Sequence, residues 1–409
     1  MYLERQIGDL HLGPTDFKPP LPSFQYLALP QLFLSLIIAI RPSAAWRLLV
    51  FLLYIYVNMK AIAFTSGDKD RDFLLGVSFG WLIANAMHLL FLSDPMNDFR
   101  HVNDVVPPRD LPLAHRAYWA FCLQNAMRGI GWNYMLPHTP PPPTASRWSF
   151  VRSQCTRTLR YIFILDGAQC YMHLNPLFSR SLSGSGALPI TAQGYVFSCA
   201  NIIAYMGRIY CSFQLQYSLL SVLCVAIGFY EAKDFPPVFG RWRDAYTLRR
   251  FWGQLWHQML RRFIASIGKS ISRGLGFQPG THLSSYTQLY VGFIVSGLLH
   301  TTGEAMVGMR YVGFSFLFFL AQAVAITAED FVIGLARLTK IKIPAFLTSV
   351  IGYAWVFFWF SVSVPWFLNW QIAAGLGFSE AVPIMPVRHA VRMVNDTMNI
   401  DFTLLFDPL

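Results

Sequence analysis

Residues 346–369 read FLTSVIGYAWVFFWFSVSVPWFLN, an apolar run without a charged side chain. A helix needs about 20 such residues to cross a bilayer, and its backbone polar groups must bond within the helix because lipid offers them no partner. Runs of similar character occur at 24–40, 45–64, 73–92, 285–306 and 311–334. The sequence therefore predicts a polytopic membrane protein.

The composition of the whole chain agrees with lipid as the main solvent. Of its 409 residues, 54% are hydrophobic and only 13% are charged, and the mean hydropathy is +0.40. A soluble domain of this length needs more charge to cover its surface. The net charge of +11 comes from basic loops between the apolar runs, which is typical of cytoplasmic loops. We expect a lipid bilayer, and no nucleic acid, among the partners.

The middle of the chain leaves the number of spanning helices open. The stretch 190–231 is apolar but interrupted by Arg208, and the run 161–173 is short and contains Asp166. If the basic segments on both sides face the cytoplasm, either 190–231 crosses once or 161–173 does not cross. We predict an all-α protein with seven to nine transmembrane helices.

The polar segments divide one polytopic domain, 1–409, into six parts. These are N-terminal helices (1–92), a polar Pro-rich cytoplasmic loop (93–157), middle helices (158–231), a basic interfacial region (232–284), the C-terminal helices (285–369) and a tail (370–409). Four prolines, Pro140 to Pro143, exclude a continuous helix in the loop. A short basic link, 335–345, contains Arg337, Lys340 and Lys342. The tail carries the tripeptide Asn395-Asp396-Thr397, a candidate glycosylation site.

One spanning segment carries titratable groups. Residues 291–306 read VGFIVSGLLHTTGEAM, which places Ser296, His300 and Glu304 on one helical face. Such groups are costly in a membrane and need partners or a wet cavity. A neutral histidine beside a carboxylate is suited to act as general base toward an alcohol. A histidine bonded to another helix for packing explains the position equally well.

Other residues near this segment favour close packing. Gly292, Gly297 and Gly303 let a neighbouring helix or a ligand approach the backbone. His88 lies in another apolar run without such a glycine-rich setting, so packing is the preferred interpretation there.

Another segment with an unusual pattern, FWGQLWHQMLRR, occupies 251–262. At helical spacing it predicts an apolar stripe of five side chains: Trp252, Trp256, Met259, Leu260 and Phe263. Arginines flank the stripe, which is typical of an interfacial helix with its arginines toward lipid headgroups. An interfacial anchor alone does not account for Gln254 and His257 beside the tryptophans.

Several segments, in this order, resemble the wax synthase-like branch of the membrane-bound O-acyltransferases. The pattern FWxxxWH (251–257) is similar to the family's first motif. It is preceded by FPPxFG (235–240) and YTLRR (246–250), and the three patterns together resemble the family's signature. The run SGLLH (296–300) resembles the helix with the catalytic histidine, and MRGIGWN (127–133) resembles a segment of the fungal branch.

The resemblance implies an MBOAT-like fold around an intramembrane tunnel, in a multi-pass protein of the endoplasmic reticulum. Acyl-CoA would be the co-substrate and a lipophilic alcohol the acceptor, with no metal and no bound cofactor. His300 would be the catalytic base, and Ser296 or Glu304 would orient it. The acyl donor and the tunnel would involve four residues of the first motif: Trp252, Gln254, Trp256 and His257.

The chain departs from the family's pattern at three positions. Gln254 and His257 stand where the related motif FYxDWWN has an acid and an asparagine, and Thr301 stands where relatives often have glutamate. These departures leave the orienting partner of His300 open.

The fungal pattern favours an acetyltransferase that modifies a hydroxyl of a terpenoid or meroterpenoid in secondary metabolism. One alternative is a wax ester synthase that joins long acyl chains to fatty alcohols. Another is a membrane terpene cyclase, with Asp166 or Glu304 as its acid. A transporter would show inverted repeats with broken helices, and a prenyltransferase would need a DDxxD motif; the sequence shows neither.

Overall fold

The structure is a computed structural model that describes residues 18–179, 187–339, 344–380, 385–398 and Phe406. Within these ranges there are two isolated β-bridges but no β-strand. Lys340 and Lys342 of the predicted basic link lie outside the described residues.

The described residues form eleven helices of 12 residues or more. In chain order they are α1 (Leu29–Ile40), α2 (Ala44–Ala61), α3 (Lys69–Phe91), α4 (Leu113–Asn125), α5 (Arg147–Leu174), α6 (Tyr195–Ala226), α7 (Arg261–Gly274), α8 (His282–Val307), α9 (Phe314–Leu338), α10 (Ala345–Ala373) and α11 (Pro386–Met398). Shorter helical turns connect several of them.

Five helices in the described part of the chain are long and apolar enough to cross a membrane. They are α2, α3, α6, α10 and α9 with the turn before it, Met309–Leu338. The predicted run 24–40 forms a shorter apolar helix, Phe24–Ile40. The predicted span 285–306 forms α8, whose 26 residues are long enough but too polar to be among the five. The protein is therefore an all-helical integral membrane protein, and the count of seven to nine spans stays a prediction.

The middle segment contains one long apolar helix. The run 190–231 forms one helix, α6, of 32 residues, with Arg208 buried within it. This agrees with a single crossing. The run 161–173 is the C-terminal half of α5, which is not among the five candidate spans.

The predicted loop 93–157 is partly helical. It contains α4, and α5 begins at Arg147 within its predicted bounds. Pro140 to Pro143 lie in a stretch without helix, as their missing N–H groups require.

The chain divides into two compact units. The first takes its described residues from Phe17–Thr139 and Phe239–Val356, and the second from Pro140–Val238 and Phe357–Leu409. In the second unit, α5 packs along α6. In the first unit, α8 packs against α3, α7 and α9.

Glycines bring α3 and α8 into backbone contact. A Cβ on Gly76 would lie 2.5 Å from the main-chain oxygen of Thr302, and one on Gly303 would lie 2.7 Å from the ring of Phe73. The hydroxyl of Thr302 donates to the carbonyl of Gly76 at 2.7 Å. The predicted close approach at Gly303 is confirmed, and Gly297 meets Phe316 of α9 in the same way, at 2.8 Å.

Replacing Gly76 by Ala forces α3 away from α8, because the added carbon meets backbone rather than a flexible side chain. We expect the free energy of unfolding to fall by about 1–3 kcal/mol. Gly334→Ala is the matched control, since a Cβ on this α9 glycine meets no atom of the described residues within 4 Å. Thermal unfolding of the detergent-solubilised variants measures both. Equal midpoints for the two variants would contradict the close packing.

Candidate active site

His300 lies in α8 between aromatic rings of two neighbouring helices. Its ring centroid is 4.3 Å from that of Phe319 on α9 and 6.0 Å from that of Phe73 on α3. Its Nδ1 lies 2.8 Å from the main-chain oxygen of Ser296. A carbonyl oxygen only accepts, so Nδ1 carries the hydrogen and, in the neutral ring, Nε2 carries the lone pair. The helix itself therefore selects the tautomer of His300.

The two residues predicted to orient His300 differ in what they contact. The main-chain oxygen of Ser296 bonds the ring, while its hydroxyl donates to the carbonyl of Gly292 at 3.0 Å. The fully buried carboxylate of Glu304 accepts the N–H of Gly313 at 2.6 Å and that of Ser315 at 2.5 Å. Glu304 therefore caps the N-terminus of α9, and these contacts do not support an orienting role toward His300.

The first motif does not form the interfacial helix that its spacing predicted. A single π-helical turn, Phe251–Leu255, ends at Trp256, whose backbone is extended, and α7 begins only at Arg261. The side-chain amide of Gln258 donates to the main-chain oxygens of Trp252 (3.1 Å) and Trp256 (2.6 Å). It thus bonds carbonyls that a continuing helix would have used, and the predicted five-residue stripe is interrupted.

The tryptophan that begins this motif lies between α8 and α9. The ring of Trp252 contacts Phe293 at 5.7 Å and Phe318 at 6.4 Å between centroids. Its indole N–H donates to the side-chain oxygen of Gln322 at 3.3 Å. Phe318 in turn lies 5.2 Å from Phe319, the residue that packs on His300. The structure thus connects Trp252 with His300 through two adjacent phenylalanines of α9.

The other motif residues form a second aromatic cluster. Trp256 packs on Phe251 at 5.8 Å and on Phe239 at 5.4 Å, and its ring lies 5.4 Å from that of His257. His257 lies in the loop before α7, outside the five candidate spans. Burial lowers the pKa of His257 to about 4, with a further contribution from His300. The His257 ring is therefore neutral at neutral pH.

Gly240 brings the segments 235–240 and 251–257 into backbone contact. Its N–H donates to the main-chain oxygen of Leu255 at 2.8 Å. A Cβ on Gly240 would lie 2.0 Å from the main-chain oxygen of half-buried Gln254. Only glycine lets the backbones of these two segments lie so close.

The sequence predicted that the arginines around the motif point toward lipid headgroups. The structure shows other contacts for some of them. Arg262 is buried and donates to the carbonyl of Leu123, the hydroxyl of Tyr134 and the side-chain oxygen of Asn85. Arg249 forms an ion pair with Asp330. The prediction was wrong for Arg262, which is buried among partners that are far away in the sequence. Arg241 and Arg243 are exposed.

The segment 127–133 forms tight turns. Gly129 (φ +66°) and Gly131 (φ +77°) have left-handed backbones that favour glycine. The N–H of Asn133 donates to the carbonyl of Arg100 at 2.9 Å, and its side-chain amide donates to that of Asp98 at 2.8 Å. These contacts explain the glycines of the motif through the local fold.

Sequence reasoning missed Gln322, Glu329 and Asp330 on α9. Glu329 accepts the main-chain N–H of Leu248 at 2.7 Å, just before the first motif. Two adjacent acids near the end of the apolar run 311–334 were the available signal, because ionisable groups within a span are costly and need partners.

Comparison with known proteins identifies the family whose sequence pattern covers the residues of this site. A profile described as the membrane bound O-acyl transferase family matches residues 235–321, which include both the first motif and His300. The acetyltransferase ple2 of Rhodocybe pseudopiperita is 34% identical over 364 residues, covering 87% of this chain and 92% of that protein. The chain belongs to the membrane-bound O-acyltransferase family.

Other relatives that cover most of the chain are also named as transferases. The acetyltransferase eriL of Hericium erinaceus is 30% identical, covering 85% of this chain and 90% of that protein. The O-mevalon transferase macI of Penicillium terrestre is 28% identical, covering 76% of each chain. A second profile, the aspirochlorine biosynthesis protein F C-terminal domain, matches 146–226, the region of α5 and α6. The enzyme is thus a membrane O-acyltransferase of the fungal branch, with acyl-CoA as its implied co-substrate.

Replacing Glu304 by Gln leaves one oxygen for two amide N–H groups at the start of α9. We expect the free energy of unfolding to fall by about 1–3 kcal/mol, because a buried donor loses its acceptor. Ser296→Ala is the matched control on the same helix, since it keeps the carbonyl that bonds His300. The midpoints of thermal unfolding compare the two variants. A Glu304→Gln midpoint as high as that of Ser296→Ala would exclude the capping role.

Proposed function

We propose that this acyltransferase transfers an acetyl group from acetyl-CoA to a hydroxyl of a lipophilic terpenoid or meroterpenoid, with His300 as general base. The observation that carries the proposal is the bond from His300 Nδ1 to the Ser296 carbonyl, because this tautomer has its lone pair on Nε2. A positioned histidine with this tautomer can accept a hydroxyl proton.

The proposed reaction takes place in an intramembrane tunnel among the seven to nine predicted helices. The hydroxyl oxygen attacks the thioester carbonyl carbon while Nε2 of His300 takes the hydroxyl proton. The tetrahedral intermediate collapses, the carbon–sulfur bond breaks and the ester forms. The departing CoA sulfur receives the proton from the imidazolium, which returns His300 to its neutral form.

The oxyanion of the intermediate needs donors, and we assign these to the first motif. The neutral ring of His257 has one N–H, and the side-chain amide of Gln254 has two. The indole N–H of Trp252 already bonds Gln322. Trp252 and Trp256 are therefore proposed as walls of the acyl-donor site, with His257 and Gln254 as the donors.

The phosphates of CoA require cationic partners at the cytoplasmic side, and the arginines of 241–262 are the candidates. Arg249 is paired with Asp330, and Arg262 is buried among neutral partners. Exposed Arg241 and Arg243 are therefore the proposed phosphate partners. The endoplasmic reticulum membrane is the proposed location.

The acetyl group is preferred because two relatives that cover most of the chain are named acetyltransferases. Two other relatives are named O-mevalon transferases, so a larger acyl donor is the second candidate. The cyclase alternative loses support because Glu304 accepts amide N–H groups with both oxygens, and Asp166 accepts that of Val387 at 2.6 Å. A carboxyl oxygen that accepts an amide N–H in this way is less suited to donate a proton to a substrate.

His300→Ala removes the proposed base, so we expect acetyl transfer to fall by about 100-fold or more. His88→Met is the matched control. His88 is a buried histidine of α3 whose two ring nitrogens have no hydrogen-bond partner among the residues that the structure describes. Microsomes that contain equal amounts of each variant are assayed with labelled acetyl-CoA and a hydroxylated terpenoid. Full activity of His300→Ala would overturn the assignment of the base.

A panel of acyl-CoAs tests the proposed donor. We expect label from acetyl-CoA in the lipid product at a kcat/KM at least about 10-fold above that for palmitoyl-CoA. Fatty alcohols serve as the competing acceptors. Preference for long acyl chains and fatty alcohols would instead support a wax ester synthase, and product without label would support a cyclase.

A further inference from the structure

Two adjacent acids, Glu329 and Asp330, lie near the C-terminal end of α9, within a candidate span. Neither belongs to a motif, and the proposed reaction uses neither. The side chain of Glu329 is buried. A buried carboxylate in this position is costly unless it is fully bonded.

Glu329 bonds the segment that leads into the first motif. Its Oε2 accepts the main-chain N–H of Leu248 at 2.7 Å and the indole N–H of Trp355 at 2.9 Å, and its Oε1 accepts the N–H of Arg249 at 3.2 Å. Leu248 and Arg249 begin the short helix that follows Thr247. Their N–H groups have no partner within the helix, and an anion is favoured there.

Asp330 bonds the same segment through the side chain of Arg249. Its carboxylate accepts hydrogen bonds from the guanidinium of Arg249 and, at 3.2 Å, from the hydroxyl of Tyr286 on α8. The turn of the motif, Phe251–Leu255, follows this segment directly. Its start is therefore fixed to α9 by two carboxylates.

The same helix holds the motif at a second point. Gln322 of α9 accepts the indole N–H of Trp252 at 3.3 Å. Gln322 and Glu329 are seven positions apart, so both project from one face of α9, about 10 Å apart along its axis. Phe319, one turn earlier, packs on His300. One rigid helix thus determines the distance between the motif and the proposed base.

We propose that Glu329 is a positioning residue: it caps the helix that begins at Leu248 and so places Trp252 and the following donors relative to His300. It acts through the backbone and contacts neither substrate. This inference rests on the proposed function for its kinetic consequence. Its structural consequence, the placement of Trp252, can be measured without activity.

Glu329→Gln keeps the size of the side chain but sets an amide N–H₂ against amide donors. We expect kcat to fall about 10- to 100-fold, because small displacements in an active site have effects of this size. KM for acetyl-CoA and for the alcohol should change less than about 3-fold, since no substrate contact is removed. Trp355→Phe is the matched control, because it removes one donor to Glu329 and leaves both backbone bonds; its kcat should stay within about 2-fold of wild type.

Leu248→Pro deletes the same bond from the other side. Proline is tolerated at the first position of a helix, and the extended backbone of Thr247 (φ −141°, ψ 154°) suits a residue before proline. Leu248→Val keeps the N–H and controls for the smaller side chain. If Glu329 acts through this bond, the Glu329→Gln/Leu248→Pro double variant should be no slower than the slower single variant.

The placement of Trp252 is followed by ¹⁹F NMR of 5-fluorotryptophan-labelled protein in detergent, with the resonance assigned by Trp252→Phe. Glu329→Gln and Leu248→Pro should shift this resonance, and Leu248→Val should not. An unshifted Trp252 resonance, or wild-type kcat in an active preparation of Glu329→Gln, would overturn the positioning role. A wild-type protein without transferase activity would overturn the proposed function instead, and the resonance would still test the placement.

Discussion

The bond between Glu304 of α8 and the first amides of α9 is the constraint on which the site depends. Both carboxylate oxygens accept N–H groups there, nine and eleven residues further along the chain. The start of α9 is therefore fixed to the helix that carries His300. Because α9 also carries Phe319, Gln322 and Glu329, this one connection determines where the base and the first motif lie relative to each other.

The same use of acids recurs throughout the described residues. The four buried acidic side chains are Asp72, Asp166, Glu304 and Glu329. Each accepts at least one backbone N–H. In a protein whose solvent is mainly lipid, an acid and an unpaired amide are both costly. Joining them removes both costs and connects segments that are far apart in the sequence.

Much of the fold follows from local sequence patterns. Apolar runs predicted four of the five candidate spans directly, and the interrupted run 190–231 is the fifth, α6. The glycines of α8 predicted its close packing, which Gly303 and Gly297 confirm. Such features depend on composition and spacing, which a sequence displays.

The features that the sequence did not predict depend on distant partners. The end of the helical turn at Trp256 depends on the side chain of Gln258, and the burial of Arg262 depends on residues about 130 positions earlier or more. Glu304 bonds the first amides of α9, although its spacing suggested an orienting role toward His300. The role of His300 was derived from family resemblance and stays a prediction, supported by its Ser296 bond.

The most direct measurement of the central claim is a structure of the enzyme with a non-hydrolysable acetyl-CoA analogue and its alcohol. The account predicts the acceptor hydroxyl oxygen within about 3.2 Å of His300 Nε2, and facing the thioester carbonyl carbon. A hydroxyl held by another side chain, with His300 Nε2 beyond hydrogen-bond reach and no water between them, would contradict it.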